Sequence, residues 1–183
     1  MHLLTGLVIC TFVVQRSSCY LDLEDWDNNF DEKLDFKCPF RNQFISTVVS
    51  VHHNGAEDRR FKLNCRNIIS GGRGDQDASC EDSGYVNDWD GVVNFQCPGD
   101  GYINGMQSVH DNWTEDRRWS FYCCSMPGYS PFHCKQTGWT NDFDRIQNYR
   151  VPDGFIMTGV YSEHDNGPED RRFKYRICRA GVK

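Results

Sequence analysis

The 183 residues suit one domain or two small ones. Twenty-six Asp and Glu against twenty Lys and Arg leave a net charge of −6, which excludes general nucleic-acid binding because phosphate neutralisation needs a basic surface. The one sustained apolar run lies at the N-terminus and is too short to cross a bilayer, so membrane insertion of the mature chain is not expected.

That run, residues 3–14, is interrupted only by Thr5, Gly6 and Thr11, and the small residues Ser17 and Cys19 follow it. The pattern reads as a secretory signal over 1–19, leaving 20–183 as the mature domain. Cys10 and Cys19 fall within the signal; Cys38, Cys65, Cys80, Cys97, Cys123, Cys124, Cys134 and Cys178 remain. An even number of cysteines in a secreted chain predicts a disulfide framework. No Cys-x-x-Cys pair occurs, so neither a zinc site nor a redox motif is expected, and no cofactor is implied. Adjacent Cys123 and Cys124 would face opposite sides of a strand and so need different partners.

The dominant feature is a repeat. His52-His53-Asn54-Gly55-Ala56-Glu57-Asp58-Arg59-Arg60-Phe61 recurs as His110-Asp111-Asn112-Trp113-Thr114-Glu115-Asp116-Arg117-Arg118-Trp119 and as His164-Asp165-Asn166-Gly167-Pro168-Glu169-Asp170-Arg171-Arg172-Phe173. Such a period marks repeated supersecondary units. Phe36-Lys37-Cys38-Pro39 and Phe95-Gln96-Cys97-Pro98 precede the first two copies, with Trp26-Asp27 and Trp89-Asp90 further upstream. After each double arginine, apolar and polar residues alternate (Phe61, Leu63, Cys65; Phe173, Tyr175, Ile177), the signature of a strand. Residues 44–51 and 102–109 read as the partner strands, and the His-to-Glu stretch as a hairpin loop. The expected fold is all-β: three disulfide-closed repeats, about 20–65, 81–124 and 136–178, with pseudo-threefold symmetry as in a β-prism or a trefoil. Repeat spacing assigns Cys38–Cys65 and Cys97–Cys124, each 27 residues apart; Cys134 is the nearest partner for Cys178, and Cys80 is then left with Cys123.

The Asp-Arg-x-[Phe/Trp]-x-[Phe/Tyr]-x-Cys signature after a Phe-x-Cys-Pro strand resembles the dermatopontin family. Residues 116–124, with their double cysteine, carry the likeness most fully. The resemblance implies a secreted extracellular-matrix protein with disulfide-closed loops. It implies matrix partners such as collagen and proteoglycans, cell-surface receptors, or, as in an invertebrate haemagglutinin that aggregates amebocytes, a defence role.

Several constellations could act. Asp58-Arg59, Asp116-Arg117 and Asp170-Arg171 recur with the repeat, whereas a catalytic site is usually single; the expected role is structural, each Arg pairing with a carboxylate of its own or the next unit. His52 with Glu57, His110 with Asn112 and Glu115, and His164 with Asn166 and Glu169 are candidate carbohydrate contacts, with Trp113 and Trp119 available for stacking. Their spacing fits no calcium loop, so no metal is expected. Asn112-Trp113-Thr114 is an N-glycosylation sequon. Arg73-Gly74-Asp75, in a Gly-rich linker, is a candidate integrin motif. No catalytic motif stands out, so the expectation is a non-enzymatic matrix and adhesion protein, with a carbohydrate-binding aggregation factor as the alternative.

Overall fold

The computed structural model describes residues 25–68 and 77–182; the signal segment 1–19 and the Arg73-Gly74-Asp75 tripeptide lie outside them. Long alternating runs either side of each motif pair into three hairpins: β2 (Gln43–His53) with β3 (Asp58–Asn67), β6 (Tyr102–Asp111) with β7 (Asp116–Ser125), and β10 (Phe155–Asp165) with β11 (Asp170–Val182). Short strands β1 (Leu34–Lys37), β5 (Val93–Gln96) and β9 (Gln147–Arg150) precede the hairpins, and β4 (Ser79–Tyr85) and β8 (Tyr129–Gln136) flank them. No helix occurs among the described residues, so the fold is all-β.

The short strands do not join their own hairpins. β1 pairs with β6, β5 with β10, and β9 returns to β2, so each repeat lends a strand to the next and the third closes on the first. β4 and β8 add outer strands to β7 and β11, giving sheet orders β1-β6-β7-β4, β5-β10-β11-β8 and β3-β2-β9. The lent strands cross closely at bulges. A Cβ on Gly159 would lie 2.6 Å from the Phe95 carbonyl oxygen, and one on Gly105 would lie 2.7 Å from that of Phe36, so both sites require glycine.

The inward faces meet in one core. Phe61, Trp119 and Phe173, one from each repeat, contact one another edge to face at centroid distances of 5.3, 5.6 and 6.1 Å, the geometry that ring quadrupoles favour. Asn28, Asn87 and Asn141 tie the preceding loops to these strands. Each donates from Nδ2 to the carbonyl of Arg59, Arg117 or Arg171 and accepts the N–H of Phe61, Trp119 or Phe173.

The disulfides are Cys38–Cys65, Cys97–Cys123, Cys80–Cys124 and Cys134–Cys178. This corrects the expected Cys97–Cys124 and Cys80–Cys123 pairs. Position along the strand, not separation in sequence, selects the partner. Cys65 and Cys123 each stand seven residues after the motif Asp, whereas Cys124 and Cys178 stand eight after it. The first class bonds the cysteine before the hairpin. The second bonds the outer strand, where Cys80 lies directly opposite Cys124, and both of its bridges span 44 residues. In the third repeat Val151 and Ile177 occupy the first-class positions and are buried.

Candidate functional site

The three motifs converge where the hairpin turns meet. Asp58, Asp116 and Asp170 open β3, β7 and β11, and each following Arg points inward with the alternation that buries Phe61, Trp119 and Phe173. Every Arg reaches an Asp of another repeat. Arg117 donates Nε and Nη2 to the two oxygens of Asp58, Arg171 does the same to Asp116, and Arg59 to Asp170, at 2.5–2.7 Å. The ring of pairs therefore closes in the same cyclic sense as the lent strands. Its members are 5% exposed or less, and in this low-dielectric setting bidentate geometry is what makes the charges tolerable. Nη2 of Arg59, Arg117 and Arg171 also reaches the carbonyl of Arg145, Glu32 and Gly91, and Nη1 of Arg59 and Arg117 donates to Ser50 and Ser108, whereas Nη1 of Arg171 has no partner. The second oxygen of each Asp accepts the N–H of Asp31, Asp90 or Asp144.

The histidines depart from expectation. His52, His110 and His164 are not loop residues; they are the penultimate residues of strands β2, β6 and β10, with side chains at most 1% exposed. The cause is strand alternation, since Val48-Ser50-His52, Met106-Ser108-His110 and Val160-Ser162-His164 continue one inward face. Each ring lies on a seam between repeats: His52 Nδ1 is 3.0 Å from Asp144, His164 Nδ1 is 3.2 Å from Asp116, and His110 Nδ1 is 3.6 Å from Asp31.

Glu57, Glu115 and Glu169 hold the turns in the left-handed region, with φ of 46°, 47° and 47°, an uncommon state for residues with a Cβ. Glu169 turns back to its own His164 at 3.2 Å and Glu115 to His110 at 3.7 Å. Burial pushes the Glu115 carboxyl up; the His110 ring opposes this, while Glu57, Asp31 and Glu169 add to it. Together the motif Glu, Asp and Arg side chains line a cavity of about 20 Å³, room for about one water molecule and not for a sugar ring. Asn112 and Asn166 stay exposed at the hairpin tips, and Trp113 beside the sequon is 91% exposed.

The second arginine of each motif carried no expectation. It points outward onto aromatic rings: Arg60 over Trp26 and Phe30, Arg118 over Tyr85 and Trp89, Arg172 over Trp139 and Phe143. On β11 it begins a period-two row of Arg172, Lys174 and Arg176. Beside that row, Arg176, Lys135, Tyr161 and Phe95 help line an open groove of about 280 Å³.

Residues 28–182 match the family model described as Dermatopontin. The haemagglutinin/amebocyte aggregation factor of Limulus polyphemus is 41% identical over 85% of this chain and 88% of its own length. Dermatopontin of Biomphalaria glabrata is 34% identical over 81% of this chain and 95% of its own. Millepora cytotoxin-1 of Millepora dichotoma is 34% identical over 82% of this chain but only 65% of its own. No solved structure matches.

Proposed function

We propose a function from one premise: this chain belongs to the dermatopontin family. It acts as a secreted, non-enzymatic adhesion protein of the extracellular matrix, organised as a pseudo-threefold array of hairpins. Its partners are matrix polymers, collagen or proteoglycan, and cell surfaces. Among the described residues no helix is long and apolar enough to cross a membrane, and the disulfides fit an oxidising compartment.

The observation that carries this reading is how the charges are divided. The motif Asp and Arg side chains are used inside, holding repeat to repeat, whereas Arg172, Lys174 and Lys135 lie on the outer face over aromatic rings, with Arg172 also paired to Glu163. Arg172, Lys174 and Arg176, with Lys135 beside them, form a basic row on an otherwise acidic chain, and a row of that sign suits a sulfated or carboxylated polymer. Binding of the mature chain to immobilised sulfated polysaccharide and to collagen tests it. Salt-sensitive binding that weakens about tenfold in a Lys135→Ala, Lys174→Ala, Arg176→Ala variant supports the reading. Unchanged binding by that variant removes the row from consideration.

A second reading, cell aggregation through carbohydrate, is favoured by the 41% identity to the Limulus factor and by the exposed Trp113 ring at a hairpin tip. Agglutination of blood cells that a simple sugar abolishes, and that Trp113→Ala loses, would place the contact at the tips. Arg73-Gly74-Asp75 remains a candidate receptor contact, to be tested by Asp75→Glu in a cell-attachment assay.

A further inference from the structure

Each seam gathers one imidazole and two aspartates and leaves one buried ring nitrogen without a hydrogen-bond partner, but at the seam between the first two repeats no imidazole–carboxylate contact is shorter than 3.6 Å. His110 Nδ1 lies 3.2 Å from the side-chain oxygen of Asn112, an acceptor that calls for the ring proton on that nitrogen. Nε2 then presents a lone pair. It is buried and has no hydrogen-bond partner, and it faces two carboxylates, Glu115 at 3.7 Å and Asp58 Oδ1 at 3.9 Å. Those spacings exceed a hydrogen bond and are slightly wider than the roughly 3.3–3.6 Å between tetrahedral ligands at bond lengths of about 2.0–2.2 Å, so small side-chain shifts would close them on one cation. Asp58 Oδ1 accepts one bond from Arg117 Nε and keeps a lone pair for a second. Asp31 stands on the other side of the ring, 3.6 Å from Nδ1, and one donor atom each from Asp31, Asp58 and His110 lies within 4.8 Å of the others. At the other seams the shortest imidazole–carboxylate contacts, 3.0 Å for His52 and 3.2 Å for His164, are those of direct ion pairs.

We infer that His110 Nε2, Asp58 and Glu115 form a binding site for a divalent cation of the zinc class. One imidazole among carboxylates suits zinc, cobalt or manganese better than calcium, which prefers oxygen alone. The ion would join the end of the second hairpin, through His110 and Glu115, to the first repeat, through Asp58. This goes beyond the adhesion reading and does not depend on it.

The test uses the chelator-treated mature chain. Zn2+ alone is titrated by calorimetry, and Co2+ is followed by its visible absorption. About one tight equivalent is expected. His110→Gln should weaken it about tenfold or more, and so should Glu115→Gln, whereas His52→Gln should leave it unchanged. Glu115 is partly exposed, so its variant decides the matter if His110→Gln fails to fold. No saturable binding overturns the inference. So does binding that both variants retain, which would place the ion on exposed histidines such as His53 and His133.

Discussion

Arg117 meets Asp58 across 59 residues of sequence, with Nε and Nη2 each 2.6 Å from one of its two carboxylate oxygens. Both side chains are at most 3% exposed, so neither charge can turn to water if the other is removed. Asp58→Ala should therefore destabilise the fold by about 3–5 kcal/mol, the cost of stranding a buried guanidinium. It also strips the acceptor from the Asp31 N–H. Urea unfolding of Asp58→Ala, Arg117→Met and the double variant measures this. The double variant should lose clearly less than the two single losses summed, because the two groups share one interaction.

The neighbouring arginine should behave differently. Arg118 sits over the rings of Tyr85 and Trp89, at 4.5 and 5.8 Å, on the half-exposed outer face. Arg118→Ala should cost about 0.5–2 kcal/mol, as expected for a partly solvated cation–π contact. A loss as large as that of Arg117→Met in the same urea series would show that the two arginines are not divided into an inward lock and an outward clasp.

Strand alternation made much of this legible. The three motifs, the hairpins around them and the structural role of the Asp-Arg pairs follow from period-two patterning and from Arg's preference for bidentate carboxylates, but nothing in the sequence chooses between a carboxylate of the same unit and one of the next. The exchange of β1, β5 and β9 between repeats did not follow, since four-residue strands carry no signal of which edge they join. Nor did the outward arginines. Trp26-Asp27 and Trp89-Asp90 look equivalent in sequence, but the clamps Asn28, Asn87 and Asn141 align Trp26 with Tyr85 and Trp139, and Trp89 with Phe30 and Phe143. The histidines were misplaced because Asn and Gly beside them signal a turn two residues before the strand ends.

The cysteine pairing gives a direct chemical prediction. Peptide mapping without reduction, using cleavage by sequential Edman steps between Cys123 and Cys124, should recover Cys97 with Cys123 and Cys80 with Cys124. Replacing Cys134 and Cys178 by Ala opens a loop of 44 residues and should lower stability by about 4 kcal/mol on the chain-entropy model. Recovery of a Cys97–Cys124 peptide would undo the alignment of the repeats by their motif aspartates.

The third seam ties stability to pH. Burial alone would lower the His164 pKa, but the charge and contact of Asp116, helped by Glu169, outweigh it and raise the value. Burial would likewise raise Asp116, yet His164 and Arg171 hold it well below the usual carboxylate range. The two shifts act in different windows. The imidazolium's contribution is fully present below the unfolded value of about 6.5 and is lost as pH rises through the raised folded value. The carboxylate's contribution is present above about 3.9 and is lost only as pH falls well below it. Stability from this pair should therefore be greatest between about pH 4 and 6.5 and decline towards alkaline pH. Thermal melts from that range up into alkaline pH should show the decline in the native chain, and His164→Gln should flatten it while leaving the strongly acid limb governed by Asp116 and Arg171. A variant as pH-dependent above neutrality as the native chain would move the effect to another group.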